Sequence, residues 1–82
     1  MLNSAVASGD RIYGSVSDSI LGRNVIIEAG ATVRNSIVMQ GCVVKSGARV
    51  ENAIVDRANV VPAGTELRGT PEDVLIKEKS HE

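Results

Sequence analysis

The sequence predicts an all-β fold, a three-sided parallel β-helix of about four coils, and three observations predict it. Asn35-Ser36-Ile37-Val38 returns seventeen residues later as Asn52-Ala53-Ile54-Val55, and Asp18-Ser19-Ile20-Leu21 stands seventeen residues before it. The aliphatic residues Ile27, Val33, Val38, Val44, Val50, Val55, Val61 and Leu67 are spaced six, five and six apart within each repeat. Tyr13 is the only aromatic residue, so the apolar content is almost entirely branched aliphatic and alanine. A fixed short period marks a repeat architecture in which no unit buries its own apolar face and each must stack on its neighbours. The six-five-six spacing gives each coil three sides, each with an inward aliphatic residue and a small residue four places later. An α-helix is disfavoured because its apolar face recurs at three and four.

The elements follow in order. Asn3-Ser4-Ala5-Val6 and Ile12 precede their counterparts Asp18-Ser19-Ile20-Leu21 and Ile27 by fifteen residues, whereas Val16 precedes Val33 by seventeen. Two residues are therefore missing at the corner holding Tyr13 and Gly14, which predicts a tighter corner with Tyr13 turned outward or sideways. In the later coils, Ile37-Val38-Met39, Cys42-Val43-Val44 and Val60-Val61 are short β-favouring runs between polar or glycine-containing corners. Gly69-Thr70-Pro71 breaks the pattern, and Val74-Leu75-Ile76 is placed as one last strand. The β-helix is assigned to residues 1–76 and a charged, fraying tail to residues 77–82.

At 82 residues the chain holds at most one domain. Nine basic and ten acidic residues leave it nearly neutral, which argues against nucleic acid or an acidic membrane as partner. No apolar stretch approaches the roughly 20 residues of a membrane span, and the N-terminus lacks the features of a secretion signal. The single cysteine, Cys42, cannot form an internal disulfide and fits a reducing compartment, so a cytoplasmic location is expected.

No residue is assigned a catalytic, cofactor-binding or metal-binding role. The column Asn3, Asp18, Asn35, Asn52 reads as corner residues, because Asn and Asp tolerate the left-handed conformation and bond nearby backbone. Gly30, Gly47 and Gly64 read as a second set of corners. Cys42 shares a column with Val25 and Asn59 and reads as a small filler; no neighbouring base would activate it as a nucleophile. His81, the only histidine, lies in the charged tail. Arg34, Glu51 and Arg68 form a column of alternating charge, read as weak support of about 0.2–1 kcal/mol per pair. Arg23, Gln40 and Arg57 form another, with Arg11 or Lys45 near it, suited to an anionic metabolite or another subunit.

The segments Ile27-Glu28-Ala29-Gly30-Ala31-Thr32, Val44-Lys45-Ser46-Gly47-Ala48-Arg49 and Val61-Pro62-Ala63-Gly64-Thr65-Glu66 resemble the hexapeptide repeat of left-handed β-helices. The left hand comes from that resemblance alone, since parallel crossovers generally favour the right. Val33-Arg34-Asn35-Ser36-Ile37-Val38-Met39-Gln40 and Glu51-Asn52-Ala53-Ile54-Val55-Asp56-Arg57 are similar to the C-terminal β-helix of bacterial glucose-1-phosphate adenylyltransferase (ADP-glucose pyrophosphorylase). Gly69-Thr70-Pro71-Glu72 and Val74-Leu75-Ile76-Lys77 look most like its regulatory, non-catalytic subunit type.

That family makes ADP-glucose and pyrophosphate from ATP and glucose 1-phosphate, with magnesium, for glycogen synthesis. Its catalytic residues and metal belong to an N-terminal domain with no counterpart in this sequence, so the resemblance implies an inactive, cofactor-free segment of a longer chain. It also implies an assembly and allosteric role, with that catalytic domain and other subunits of a homo- or hetero-oligomer as partners. The competing reading is a piece of a hexapeptide acyltransferase. Such enzymes use a coil histidine as general base, and the related γ-type carbonic anhydrases hold a metal with three; neither chemistry is served by His81 alone.

Overall fold

The computed structural model describes residues 4–78 and contains strands and turns, with no helix among them. Twelve strands of two or three residues follow one another. They are β1 (Arg11–Ile12), β2 (Ser15–Ser17), β3 (Ile20–Leu21), β4 (Ile26–Ile27), β5 (Thr32–Arg34), β6 (Ile37–Val38), β7 (Val43–Val44), β8 (Arg49–Glu51), β9 (Ala53–Val55), β10 (Val60–Val61), β11 (Glu66–Arg68) and β12 (Leu75–Lys77). Every third strand pairs in parallel, giving three four-stranded sheets: β1-β4-β7-β10, β2-β5-β8-β11 and β3-β6-β9-β12. The chain is a three-sided β-solenoid. Strand register follows the seventeen-residue period, with Ile27 beside Val44, Val33 beside Val50, and Val38 beside Val55.

The inward aliphatic residues make one continuous column. Ile27, Val33, Val38, Val44, Val50, Val55 and Val61 are all fully buried, while Ile12, Leu67 and Leu75 close the column at its ends and are partly buried. Such a column stabilises the stack through apolar burial, at about 1.5–3 kcal/mol per fully buried aliphatic side chain. No strand is long enough to be stable alone, so this stacking is what selects the fold.

A small inward residue accompanies each aliphatic one, with a spacing that differs between sides. It lies four residues on in Ile27–Ala31 and Val38–Cys42, as the spacing predicts. On the third side it lies three residues on, and Ser19, Ser36 and Ala53 follow Val16, Val33 and Val50. The difference is chemical. Ser19 Oγ accepts the Ser36 N–H (3.1 Å) and donates to Ser17 O (2.8 Å). Ser36 Oγ accepts the Ala53 N–H (3.2 Å) and donates to Arg34 O (2.7 Å). Each buried hydroxyl thus links one coil to the next with its donor and acceptor both used, as burial requires.

Three corner columns turn the chain. Asp18, Asn35 and Asn52 have φ of 51°, 48° and 50°, and Gly30, Gly47 and Gly64 have φ of 83°, 76° and 73°. Both columns are corners, as their residue types predict. The third column is Gly9, Asn24, Gly41 and Ala58, all with positive φ. Sequence reasoning did not find it, because Ala58 (φ 58°) is not a residue that favours this conformation.

The first coil turns more tightly at Tyr13-Gly14. Both N–H groups donate to Ile27 O, at 2.8 and 3.2 Å, and Tyr13 points outward, 65% exposed. A Cβ on Gly14 would lie 2.5 Å from Ala31 O and 2.6 Å from Glu28 O, so only glycine fits this close approach. At the other end a turn closed by Thr70 and Asp73 leads into β12, which pairs with β9. The strand extends through Lys77, a residue assigned to the fraying tail in the sequence reading. Asn59 Nδ2 reaches the carbonyls of Asp56, Lys77 and Glu78 and ties this segment down. Residues 79–82, with His81, and residues 1–3, with Asn3, lie outside the described residues.

Candidate interaction face

With the interior filled by aliphatics, any distinguishing chemistry must lie on outward residues. The outer surface of β2-β5-β8-β11 carries Ser15, Ser17, Thr32, Arg34, Arg49, Glu51, Glu66 and Arg68, a polar and charged wall. Arg68 pairs with Glu51 (3.8 Å) and with Glu66 (3.6 Å). Arg34 and Glu51 are in register, yet among the described residues only the Glu51–Arg68 rung of that column closes as an ion pair. Exposure keeps such pairs weak.

The outer surface of β3-β6-β9-β12 is different. Ile20, Ile37, Ile54 and Ile76 stand in strict register, one per coil. Ile20 is 55% exposed, Ile37 38% and Ile76 63%, and Met39 and Val74 add exposed apolar surface beside them. A groove of about 350 Å³ runs along one flank of this ladder between Asp18, Asn35, Pro71 and Val74. A second, of about 430 Å³, follows the other flank and is lined by Met39, Arg23, Gln40 and Arg57. The Arg23, Gln40, Arg57 column therefore forms one bank of the ladder. Arg11 and Lys45, expected near that column, do not line the groove it borders. Sequence reasoning did not mark the ladder as exposed; its signal is that Ile20, Ile37 and Ile54 each immediately precede the inward residue of a strand.

The remaining candidates are structural. Cys42 is fully buried, its thiol donates to Asp56 O (2.9 Å), and burial raises its pKa above the usual thiol value, which opposes the reactive thiolate. Among the described residues no group of three His, Cys, Asp or Glu side chains is placed to hold a metal. Every buried side-chain nitrogen and oxygen there has a hydrogen-bond partner, so none is left aimed at a ligand. No helix among the described residues is long and apolar enough to cross a membrane.

Comparison with known families matches residues 1–74 to the family described as GlmU-like, C-terminal hexapeptide. No curated protein matches the chain.

Proposed function

Because the chain belongs to the GlmU-like, C-terminal hexapeptide family, we propose that it is the C-terminal assembly and regulatory domain of a sugar-phosphate nucleotidyltransferase of the glucose-1-phosphate adenylyltransferase type. The observation that carries this reading is the pair of segments Ile37-Val38-Met39-Gln40 and Ile54-Val55-Asp56-Arg57. They are the core of the resemblance to that enzyme family, and they supply the two central isoleucines of the apolar ladder, Ile37 and Ile54, with Gln40 and Arg57 of its bank. A domain whose buried polar side chains, among the described residues, are all paired and one of whose outer walls is apolar is suited to packing against protein, and less so to turnover. In this reading catalysis, magnesium and nucleotide belong to a separate N-terminal domain, and the protein works in the cytoplasm as a homo- or hetero-oligomer.

The test is an assay of the complete protein that carries this segment, with ATP, magnesium and glucose 1-phosphate. Pyrophosphate release with formation of ADP-glucose is the expected result, and the 82-residue chain alone should release none. Acyl transfer from a thioester donor by the complete protein, without ADP-glucose formation, would overturn it. That outcome is the second reading, with which the family match is equally consistent: a piece of a hexapeptide acyltransferase. Its general base would have to be supplied from outside residues 4–78, which contain no histidine.

A further inference from the structure

We propose that the isoleucine ladder of β3-β6-β9-β12 is a self-pairing surface: it packs against the same ladder of a second copy of this chain, the two solenoids lying side by side and pointing the same way. This deepens the assembly role proposed above. It specifies the face, the partner and the relative direction.

Pitch is the first reason for a second copy. Ile20, Ile37, Ile54 and Ile76 recur once per coil, at the spacing of neighbouring strands, about 4.8 Å. A helix presents side chains along its face at a different interval, and a flat irregular surface at none. An identical ladder pointing the same way matches the interval along its whole length, so each isoleucine meets its own counterpart at the same height.

Charge is the second reason, and it also sets direction. The chain enters each rung of this face at Asp18, Asn35 or Asn52 and leaves it at Arg23, Gln40 or Arg57. The entry bank is acidic at both ends, with Asp18 in the first rung and the exposed Glu72 and Asp73 beside the last. The exit bank is basic. A two-fold axis parallel to the stack places the exit bank of each copy on the entry bank of the other, so Arg23 meets Asp18 of the second copy. A two-fold axis across the stack would instead lay entry bank on entry bank and, with Ile20 facing Ile76, set Asp18 against Glu72 and Asp73 of the second copy, like charge on like.

Sedimentation of the 82-residue chain over micromolar to millimolar concentrations should show a monomer–dimer equilibrium. Ile37→Glu buries an unpaired carboxylate in the centre of the pairing and should weaken dimerisation about a hundredfold or more. Val43→Glu, on the outer surface of β1-β4-β7-β10, should leave it unchanged. Circular dichroism and melting temperature verify that both variants fold. Direction is read by cross-linking in a Cys42→Val background, Val25 showing that valine fits the same column. Ile20→Cys should be joined to itself by a short thiol-specific linker. With opposed directions Ile20 would face Ile76 and lie about 14 Å from its own copy, three strand spacings away.

A monomer throughout, a trimer, or a dimer lost in Val43→Glu but kept in Ile37→Glu overturns the pairing. So does failure of Ile20→Cys to cross-link. These outcomes are separate from the ADP-glucose assay, which can fail while the pairing holds and hold while the pairing fails.

Discussion

The walls β2-β5-β8-β11 and β3-β6-β9-β12 stand on the same aliphatic column. Inside, one contributes Val16, Val33 and Val50 and the other Leu21, Val38 and Val55, and all six are buried to within a few per cent. Outside, the first wall is built of serine, threonine, arginine and glutamate, and the second of isoleucine and methionine. A parallel β-solenoid needs only its inward residues, so its outward residues are free to be specified by something else. On the first wall they match water. On the second they are mismatched to water, and a contiguous apolar strip of this kind marks contact with another surface.

The largest effect should come from the shared interior. Val50→Asn and Val55→Asn each bury an amide with no partner and should each cost about 2–4 kcal/mol in chemical denaturation. Unequal losses would show that the two walls are not energetically equivalent inside. Next, Ser36→Ala removes the acceptor of the Ala53 N–H, a bond that only one side of the prism uses, and should cost about 1–2 kcal/mol. Ala58→Gly should raise stability by about 0.5–1 kcal/mol by relieving an alanine held at φ 58°. Arg68→Ala on the charged wall should change the melting temperature little, within about 0.5 kcal/mol.

The smallest effect concerns Cys42, at the corner between β6 and β7. Its folded pKa is raised by burial, so the stability it contributes is complete below the unfolded thiol value of about 8.5 and is lost as pH rises through the folded value. The melting temperature should therefore fall more steeply above about pH 8.5 in the parent chain than in Cys42→Val.

Much of this was legible in the sequence, for a physical reason. Stacked coils repeat the same inward contacts, so Ile27, Val44 and Val61 must recur at one period, and the missing two residues near Tyr13 had to appear as a tight corner. The outward ladder was harder to read. Ile20-Leu21, Ile37-Val38 and Ile54-Val55 are pairs of neighbouring aliphatics, and hydrophobicity alone does not say which member faces out. Ile76 was harder still, because the turn at residues 70–74 displaces it from the period. Asn59 shares the column of Val25 and Cys42, yet a filler reading conceals its task of binding the carbonyls of Lys77 and Glu78.

One consequence follows from the ends of that same column. Asp10 stands below Val25, its carboxylate accepting the N–H groups of Ala7 and Val25, each at 2.8 Å, and Asn59 stands above Cys42. A strictly periodic chain has no preference among alignments displaced by a whole repeat. Here, sliding by one repeat would thrust the carboxylate or the amide into a slot shaped for valine or cysteine. The two polar residues act as bookends, and a molecule built from near-copies of itself thereby acquires a single way to line up.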